Sequence, residues 1–108
     1  MSEPLVLKLD PRYLNAVLAG DKTQTTRHGV IRRWPGNEIL LDFGEKKVRA
    51  FVTWADYGTI EDLTAADAVA DGFSNVNDLR MALRRHYPAA EPGDVFTRIR
   101  FRLAGVAS

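Results

Sequence analysis

The sequence VFTRIRFRL at residues 95–103 has the clearest strand pattern in the chain. Successive side chains of a β-strand point to opposite faces, so residues two apart share a face. One face carries only apolar or threonine side chains, whereas arginines dominate the other. This alternation predicts a strand that runs through a sheet. The core-facing residues are predicted to be Val95, Thr97, Ile99, Phe101 and Leu103, and the outward-facing arginines are Arg98, Arg100 and Arg102.

Shorter strands and one helix precede this segment. Asp10-Pro11 is typical of a helix start, because Asp caps free N–H groups and proline suits the first helical position. Gly20 is suited to the left-handed position that ends such a helix. Trp54 would share the apolar face of its strand with Val48, Ala50 and Val52. Strands are predicted at residues 5–9, 21–27, 39–43 and 48–54.

Two further helices are predicted between residues 64 and 88. Thr64 and Asp67 resemble a capping box at the start of a helix that Gly72 ends. Ser74 would cap the next helix, which Pro88 terminates. Its apolar stripe contains Val76, Leu79, Leu83 and Tyr87. The order of elements favours an α+β fold with a small mixed or barrel-like sheet and flanking helices.

Composition restricts the classes of function. A chain of 108 residues predicts a single domain over residues 1–108. Without cysteine, the chain has neither a disulfide framework nor a cysteine nucleophile, and two histidines offer little for a metal site. We expect no metal or cofactor, no membrane segment or leader, and a cytoplasmic protein. The net charge of +1 means that any nucleic-acid affinity depends on how charge is distributed. Monomer and homodimer both remain open.

A polar cluster follows Gly20. Its members are Lys22, Thr23, Thr25 and Arg27. One interpretation is a solvated turn and an edge strand, in which Thr23, Thr25 and Arg27 share one face and Gln24 and Thr26 the other. The alternative is a hydroxyl nucleophile beside an amine, since a desolvated lysine can take the proton of a threonine hydroxyl. A carboxylate would then orient the amine, and the candidates are Asp62, Asp67 and Asp71.

The arginines of residues 98–102 also have two interpretations. They could form a solvated outer face, or a stripe that contacts RNA phosphates. Trp54 and Tyr87 lie on predicted apolar faces and are more typical of a core than of base stacking. A phosphate-binding stripe would be extended by Arg80, Arg84 and Arg85, and bases could stack on Trp34 or Tyr57.

The chain resembles the ASCH domain family. The most specific part is the run Gly20-x-Lys22-Thr23-x-Thr25-x-Arg27, preceded by Tyr13-Leu14-x-x-Val17-Leu18. The resemblance continues through Pro35-Gly36-Asn37, Leu63-Thr64-x-x-Asp67-Ala68-x-x-Asp71-Gly72-Phe73, Tyr87-Pro88 and Ile99-x-Phe101, so it covers nearly the whole chain.

This resemblance implies a PUA-like fold and a binding site for RNA or a modified nucleoside. The small bacterial branch of the family that it most resembles removes the acetyl group from N(4)-acetylcytidine. By position, the catalytic lysine, threonine and glutamate of that branch correspond to Lys22, Thr25 and Asp71, and the third is one methylene shorter here. The implied reaction is metal-independent amide hydrolysis, with Thr23 and Arg27 as substrate-binding residues. A non-catalytic RNA-binding module, or an ASCH-type ribonuclease, is the alternative.

From these assignments we expect the side chains of Lys22, Thr25 and Asp71 to converge in one pocket. The Lys22 amine should lie within about 3 Å of the Thr25 hydroxyl, or reach it through one water. We also expect Thr25 to be a surface-type residue whose replacement leaves the fold intact.

Overall fold

The segment at residues 95–103 forms the strand around which the sheet is built. In the computed structural model, which describes residues 4–104, this strand is β5 (Phe96–Leu103). It lies inside a five-stranded sheet, antiparallel to a neighbour on each side, as the alternation predicted. Ile99 and Phe101 are buried, whereas Val95 precedes the strand and is 39% exposed. Placing Val95 on the core-facing side was therefore wrong, because the strand begins one residue later.

The sheet is mixed and is curled into a half-barrel. Its strand order is β1-β3-β4-β5-β2, with β1 and β3 parallel and the other neighbours antiparallel. The remaining strands are β1 (Leu5–Lys8), β2 (Gln24–His28), β3 (Glu38–Asp42) and β4 (Lys47–Gly58). The α-helices are α1 (Leu14–Ala19), α2 (Ala65–Ala70) and α3 (Val76–His86), and 3-10 turns lie at Pro11–Tyr13 and Ile60–Asp62. This architecture confirms the predicted α+β class with a small mixed, barrel-like sheet and flanking helices.

The core has two parts. The larger cluster lies between α1 and the sheet and includes Val17, Leu41, Val52 and Phe101. The smaller cluster lies among the 3-10 turn at Ile60–Asp62, α2 and α3, where Leu79 and Leu83 pack with Phe96. Because α2 and α3 cover one end of the sheet, side chains on both faces of the strands are buried there. Within residues 4–104, no helix combines the length and the apolar composition needed to cross a membrane.

A β-bulge moves Trp54 away from the apolar face on which we predicted it. The register between β4 and β5 shifts between Val52 and Trp54, so Val52 pairs with Phe101 but Trp54 pairs with Arg100. A bulge inserts one extra residue and thereby reverses the facing of the residues after it. Trp54 consequently stacks against arginines, with the Arg100 guanidinium 4.4 Å from its ring centroid. A prediction that assumes strict alternation cannot detect such an insertion.

The helix ends were predicted with one error. The Asp10 carboxylate accepts from the backbone N–H of Arg12 at 3.0 Å, and Gly20 ends α1 in the left-handed region with a φ of 82°. Thr64 and Asp67 form the predicted capping box of α2. Ser74, however, does not cap α3. Asn75, the next residue, has extended backbone and its side chain accepts from the Asp78 N–H at 2.9 Å, which leaves Ser74 outside the helix.

Candidate active site

The turn after α1 delivers Lys22 to the start of β2. The backbone N–H groups of Asp21 and Lys22 both donate to the carbonyl of Ala16, at 2.8 and 3.1 Å. The chain can reverse so tightly because Gly20 adopts a positive φ at no steric cost. Thr23 then donates its N–H to the Ala70 carbonyl at 2.7 Å, which joins the end of α2 to this turn. Lys22 and the end of α2 are thereby held side by side.

Lys22 and Asp71 form a buried ion pair. The Lys22 Nζ donates to an Asp71 carboxylate oxygen and, at 2.8 Å, to the backbone carbonyl of the same residue. The two side chains are only 5% and 6% exposed. The Lys22 Nζ also lies 5.1 Å from the centroid of the Tyr13 ring, a distance typical of a cation–π contact. A carboxylate at a helix C-terminus is disfavoured by the helix dipole, and this ammonium partner accounts for its presence there.

Two threonines line the same cavity as the ion pair. The Thr26 hydroxyl donates to the second Asp71 carboxylate oxygen at 2.7 Å, and the Thr25 hydroxyl accepts from Arg27 Nε at 3.0 Å. Both threonines are buried, so the expectation that Thr25 is a surface-type residue was wrong. The position of Thr25 explains its burial, because β2 is covered on both faces at this point and Thr25 pairs with Ile99 of β5.

The predicted direct hydrogen bond between Lys22 and Thr25 is not found among the contacts of residues 4–104. The Lys22 amine is instead directed to Asp71, which accepts two of its N–H bonds. All three side chains nevertheless line one cavity of about 710 Å³. This volume lies within the range of about 300–1,000 Å³ that is typical of small-molecule sites.

Of the two predicted substrate-binding residues, the structure brings only Arg27 into the cavity. Thr23 is exposed, does not line the cavity and uses its backbone N–H in the bond to Ala70. Arg27 is held by its bond to Thr25 and by a 2.7 Å bond from its Nη2 to the Lys8 carbonyl. Burial lowers the pKa of Arg27, partly opposed by Tyr87 and Asp71. Among the contacts of residues 4–104, the Arg27 guanidinium thus bonds the Thr25 hydroxyl and a backbone carbonyl but no carboxylate.

The other candidate carboxylates have different roles. Asp62 bonds the backbone N–H of Thr59 and closes the 3-10 turn. Asp67 is fully buried, and its carboxylate forms salt bridges with the guanidinium groups of Arg98 at 3.0 Å and Arg100 at 3.2 Å. Burial opposes ionisation of Asp67, but hydrogen bonds from Thr64 and the pair with Arg98 outweigh it and lower its pKa.

The three arginines of β5 are consequently not equivalent. Arg98 and Arg100 are turned toward Asp67 and Trp54, and their side chains are 13% and 35% exposed. Arg102 is exposed and stacks on the Phe51 ring at 4.9 Å. Any contact of this face with RNA phosphates therefore depends most on Arg102, and it stays a prediction.

Sequence reasoning missed Thr26. Alternation placed Thr26 on the face opposite Thr25, yet its hydroxyl holds the Asp71 carboxylate. The residue also belongs to a buried chain of hydrogen bonds, because it accepts from Gln24 at 3.3 Å and Gln24 accepts from Arg100 at 2.9 Å. The available signal was a run of three uncharged polar residues, Gln24 to Thr26, within one strand. Strict alternation would expose only one face of such a strand.

Comparison with solved structures identifies the fold that carries this site. A DUF984 protein from Enterococcus faecalis superposes with a TM-score of 0.75 at 14% identity, over 96% of this chain and 82% of that one. An ASCH domain from Lactobacillus crispatus gives 0.72 at 11% identity, over 92% and 79% of the two chains. The chain has the fold of an ASCH domain.

A third ASCH structure, from Zymomonas mobilis, agrees with a TM-score of 0.67 at 17% identity, over 90% of this chain and 65% of that one. No protein-family model and no curated protein matches the sequence. The similarity thus confirms the predicted ASCH resemblance at the level of the fold. Within residues 4–104 of this ASCH fold, no group of three or more His, Asp or Glu side chains is placed to hold a metal ion.

Proposed function

We propose that the protein is an amidohydrolase that removes the acetyl group from N(4)-acetylcytidine or a related acylated nucleoside. The observation that carries this proposal is the buried Lys22–Asp71 pair, set beside the Thr25 hydroxyl in one cavity. Amide hydrolysis needs a nucleophile, a group that moves its proton and a donor for the developing oxyanion. Thr25, Lys22 and Arg27 can supply these three functions within the same cavity.

In the proposed first step, the Thr25 oxygen attacks the acetyl carbonyl. The C–N bond to the exocyclic amine then breaks, which leaves an acetyl ester on Thr25 and releases cytidine. The Thr25 proton ends on the departing amine, and Lys22 carries it between the two positions. Arg27 already donates to the Thr25 oxygen at 3.0 Å, which supports a role for this guanidinium as the donor that stabilises the oxyanion. Water then hydrolyses the ester to acetate and restores the hydroxyl.

The ion pair supports the role of Lys22 as a base. An ammonium cannot accept a proton, but transfer of one proton to Asp71 leaves a neutral amine beside a neutral carboxylic acid. This transfer keeps the total charge of the buried pair unchanged, and both groups already share a hydrogen bond. Thr26 fixes the other carboxylate oxygen, so Asp71 presents a constant geometry to the amine. We assign Thr26 as a positioning residue.

The cavity walls suit a flat base. Tyr13 and Tyr87 both line the cavity, and aromatic rings can stack on nucleobases. Aspartate in place of the expected glutamate is compatible with the proposal, because the end of α2 lies so close that even the Asp71 backbone carbonyl reaches the Lys22 amine.

The proposal is tested by incubating purified protein with N(4)-acetylcytidine and a chelator, and by following cytidine and acetate. We expect turnover by the native protein and its loss in Thr25→Val, which removes the hydroxyl at nearly constant volume. Thr23→Val is the matched control, because Thr23 is exposed and outside the cavity. Full activity in folded Thr25→Val would refute the nucleophile, and no turnover by the native protein would refute the function.

A non-catalytic RNA-binding module is the second candidate. It is favoured by Arg102, which is exposed, and by the exposed aromatic side chains of Trp34 and Tyr57, at 57% and 40%. Single-stranded RNA binds surfaces that combine cations with rings on which bases stack. RNA affinity without deacetylation, lowered by Arg102→Ala or Trp34→Ala, would support this candidate.

A further inference from the structure

The cavity concentrates positive charge. Five cationic side chains and two carboxylates line it, so it carries an excess of three positive charges, whereas the whole protein has a net charge of +1. The cations are Lys8, Arg12, Lys22, Arg27 and Arg85, and the carboxylates are Asp10 and Asp71. A cleft lined by one sign of charge attracts ligands of the opposite sign.

Ion pairs within the described part of the chain use two of these cations. Lys22 is neutralised by Asp71, and Arg12 lies 3.4 Å from the Asp10 carboxylate. None of the ion pairs formed within residues 4–104 includes Lys8, Arg27 or Arg85. Three cations on three different elements thus line one cavity, and none of them has a carboxylate partner among the described residues.

Arg27 and Arg85 illustrate the contrast with the rest of the molecule. Among residues 4–104, the partly buried Arg27 donates to two neutral oxygens, the Thr25 hydroxyl and the Lys8 carbonyl. Arg84, the neighbour of Arg85 in α3, points away from the cavity and pairs with Glu61 at 2.9 Å. Asp71 and Tyr87 partly offset the burial of Arg27, whereas Lys8 and Arg85 are exposed at the cavity, where their positive charges can attract an anionic ligand group.

We propose that this cavity binds the phosphate of its substrate together with the base, so that the preferred ligand is an acylated nucleotide and not the neutral nucleoside. Lys8 and Arg85, which are exposed at the cavity, hold the phosphate, while Arg27 lies deeper at the reacting hydroxyl. This inference rests on the proposed function. The phosphate can belong to a free nucleotide or to an RNA chain, since both present the same anionic oxygens.

The test compares kcat/KM for N(4)-acetylcytidine, its 5′-monophosphate and a short single-stranded RNA that contains one acetylcytidine. A hydrogen bond to a charged group changes binding about tenfold. We therefore expect at least one phosphorylated substrate to exceed the nucleoside about tenfold or more, mainly through KM, with a preference that falls as salt is added. A higher kcat/KM for the monophosphate identifies a free nucleotide as the substrate, and a higher kcat/KM for the oligomer alone identifies RNA as the substrate.

Equal kcat/KM for all three substrates overturns the inference and leaves the deacetylase function standing. If no substrate is deacetylated, the proposed function fails. Titration calorimetry with cytidine 5′-monophosphate and with cytidine then tests separately whether the cavity binds the phosphate. Tighter binding of the monophosphate supports the site, and equal or absent binding of the two overturns it.

Variants locate the site. Lys8→Gln and Arg85→Gln should each lower the ratio of kcat/KM for the phosphorylated substrate over the nucleoside by about tenfold. Arg84→Gln, one residue away and outside the cavity, is the matched control and should keep the native ratio. Circular dichroism confirms that each variant is folded. A native ratio in both Lys8→Gln and Arg85→Gln overturns the assignment.

Discussion

Replacing Lys22 by methionine should destabilise the protein strongly, because it leaves the Asp71 carboxylate buried without its cation. The two side chains are 5% and 6% exposed, so water screens their interaction little. Methionine keeps an apolar stem of similar length, and Asp71 keeps the hydrogen bond from Thr26. Removing one partner of a buried pair costs about 3–5 kcal/mol, which is a large part of a typical stability of about 5–15 kcal/mol.

A double-mutant cycle separates the ion pair from other effects of the substitution. Asp71→Asn alone should cost a similar amount, since it leaves the ammonium unpaired. Lys22→Met combined with Asp71→Asn removes both charges and should cost clearly less than the sum, with a coupling of about 2–3 kcal/mol. The free energy of unfolding is measured by urea denaturation, followed by tryptophan fluorescence.

The exposed pair of Arg49 and Glu38 provides the control for this cycle. Its side chains are 63% and 34% exposed, so the cycle of Arg49→Met and Glu38→Gln should show no measurable coupling. The reasoning is refuted if Lys22→Met and Asp71→Asn each cost less than about 1 kcal/mol, or if their effects simply add.

Three further predictions concern neighbouring groups. Thr26→Val should lower kcat for acetylcytidine and shift the pH profile of kcat, because Thr26 acts through the Asp71 carboxylate. It should not abolish turnover, in contrast to Thr25→Val. An unchanged kcat and an unchanged pH profile would contradict this. The pKa of Asp67 is lowered in the folded protein, so its ionisation stabilises the fold above the ordinary value of 3.8, and this contribution is lost as pH falls through the folded pKa. Asp67→Asn should therefore show a smaller acid-side loss of stability than the native protein in urea titrations between about pH 5 and pH 2, and an identical loss would argue against the assignment. If RNA binds, Arg102→Ala should flatten the salt dependence of log K by about 0.7 to 1 unit, and Arg98→Ala should flatten it less, because Arg98 is held by Asp67.

The sheet could be predicted from the sequence where one face is apolar and the other polar. Residues 95–103 and 5–9 show this alternation, and both contain strands. Helix starts and ends other than the Ser74 cap were equally accessible, because Asp10, Gly20 and Thr64 act through local hydrogen bonds and backbone geometry. The bulge before Trp54 was not accessible, since one inserted residue leaves no trace in the composition of a strand.

The site was only partly predictable for a related reason. Local sequence gives the polar cluster after Gly20, and the ASCH resemblance selects Lys22 and Thr25 within it, but the distance between β2 and the end of α2 depends on the packing of the whole chain. Period-two reasoning also assumes that a strand has a solvent-facing side. β2 has none over residues 24–26, so alternation gave no reason to place Thr26 in the site. The alternation at residues 98–102 likewise could not reveal that Arg98 and Arg100 pair with the buried Asp67.

The aspartate at position 71 shows how backbone placement decides which side chain a site requires. The bond from Thr23 to the Ala70 carbonyl draws the last turn of α2 against the start of β2, and Gly72 then turns the chain away with a φ of 91°. A Cβ atom at position 72 would lie 3.6 Å from the Lys22 Cβ, so the two segments are already in contact. At this separation a carboxylate on a single methylene reaches the Lys22 amine, and a longer glutamate would have to fold back within a buried space. The shorter acid therefore follows from the close approach of the two segments.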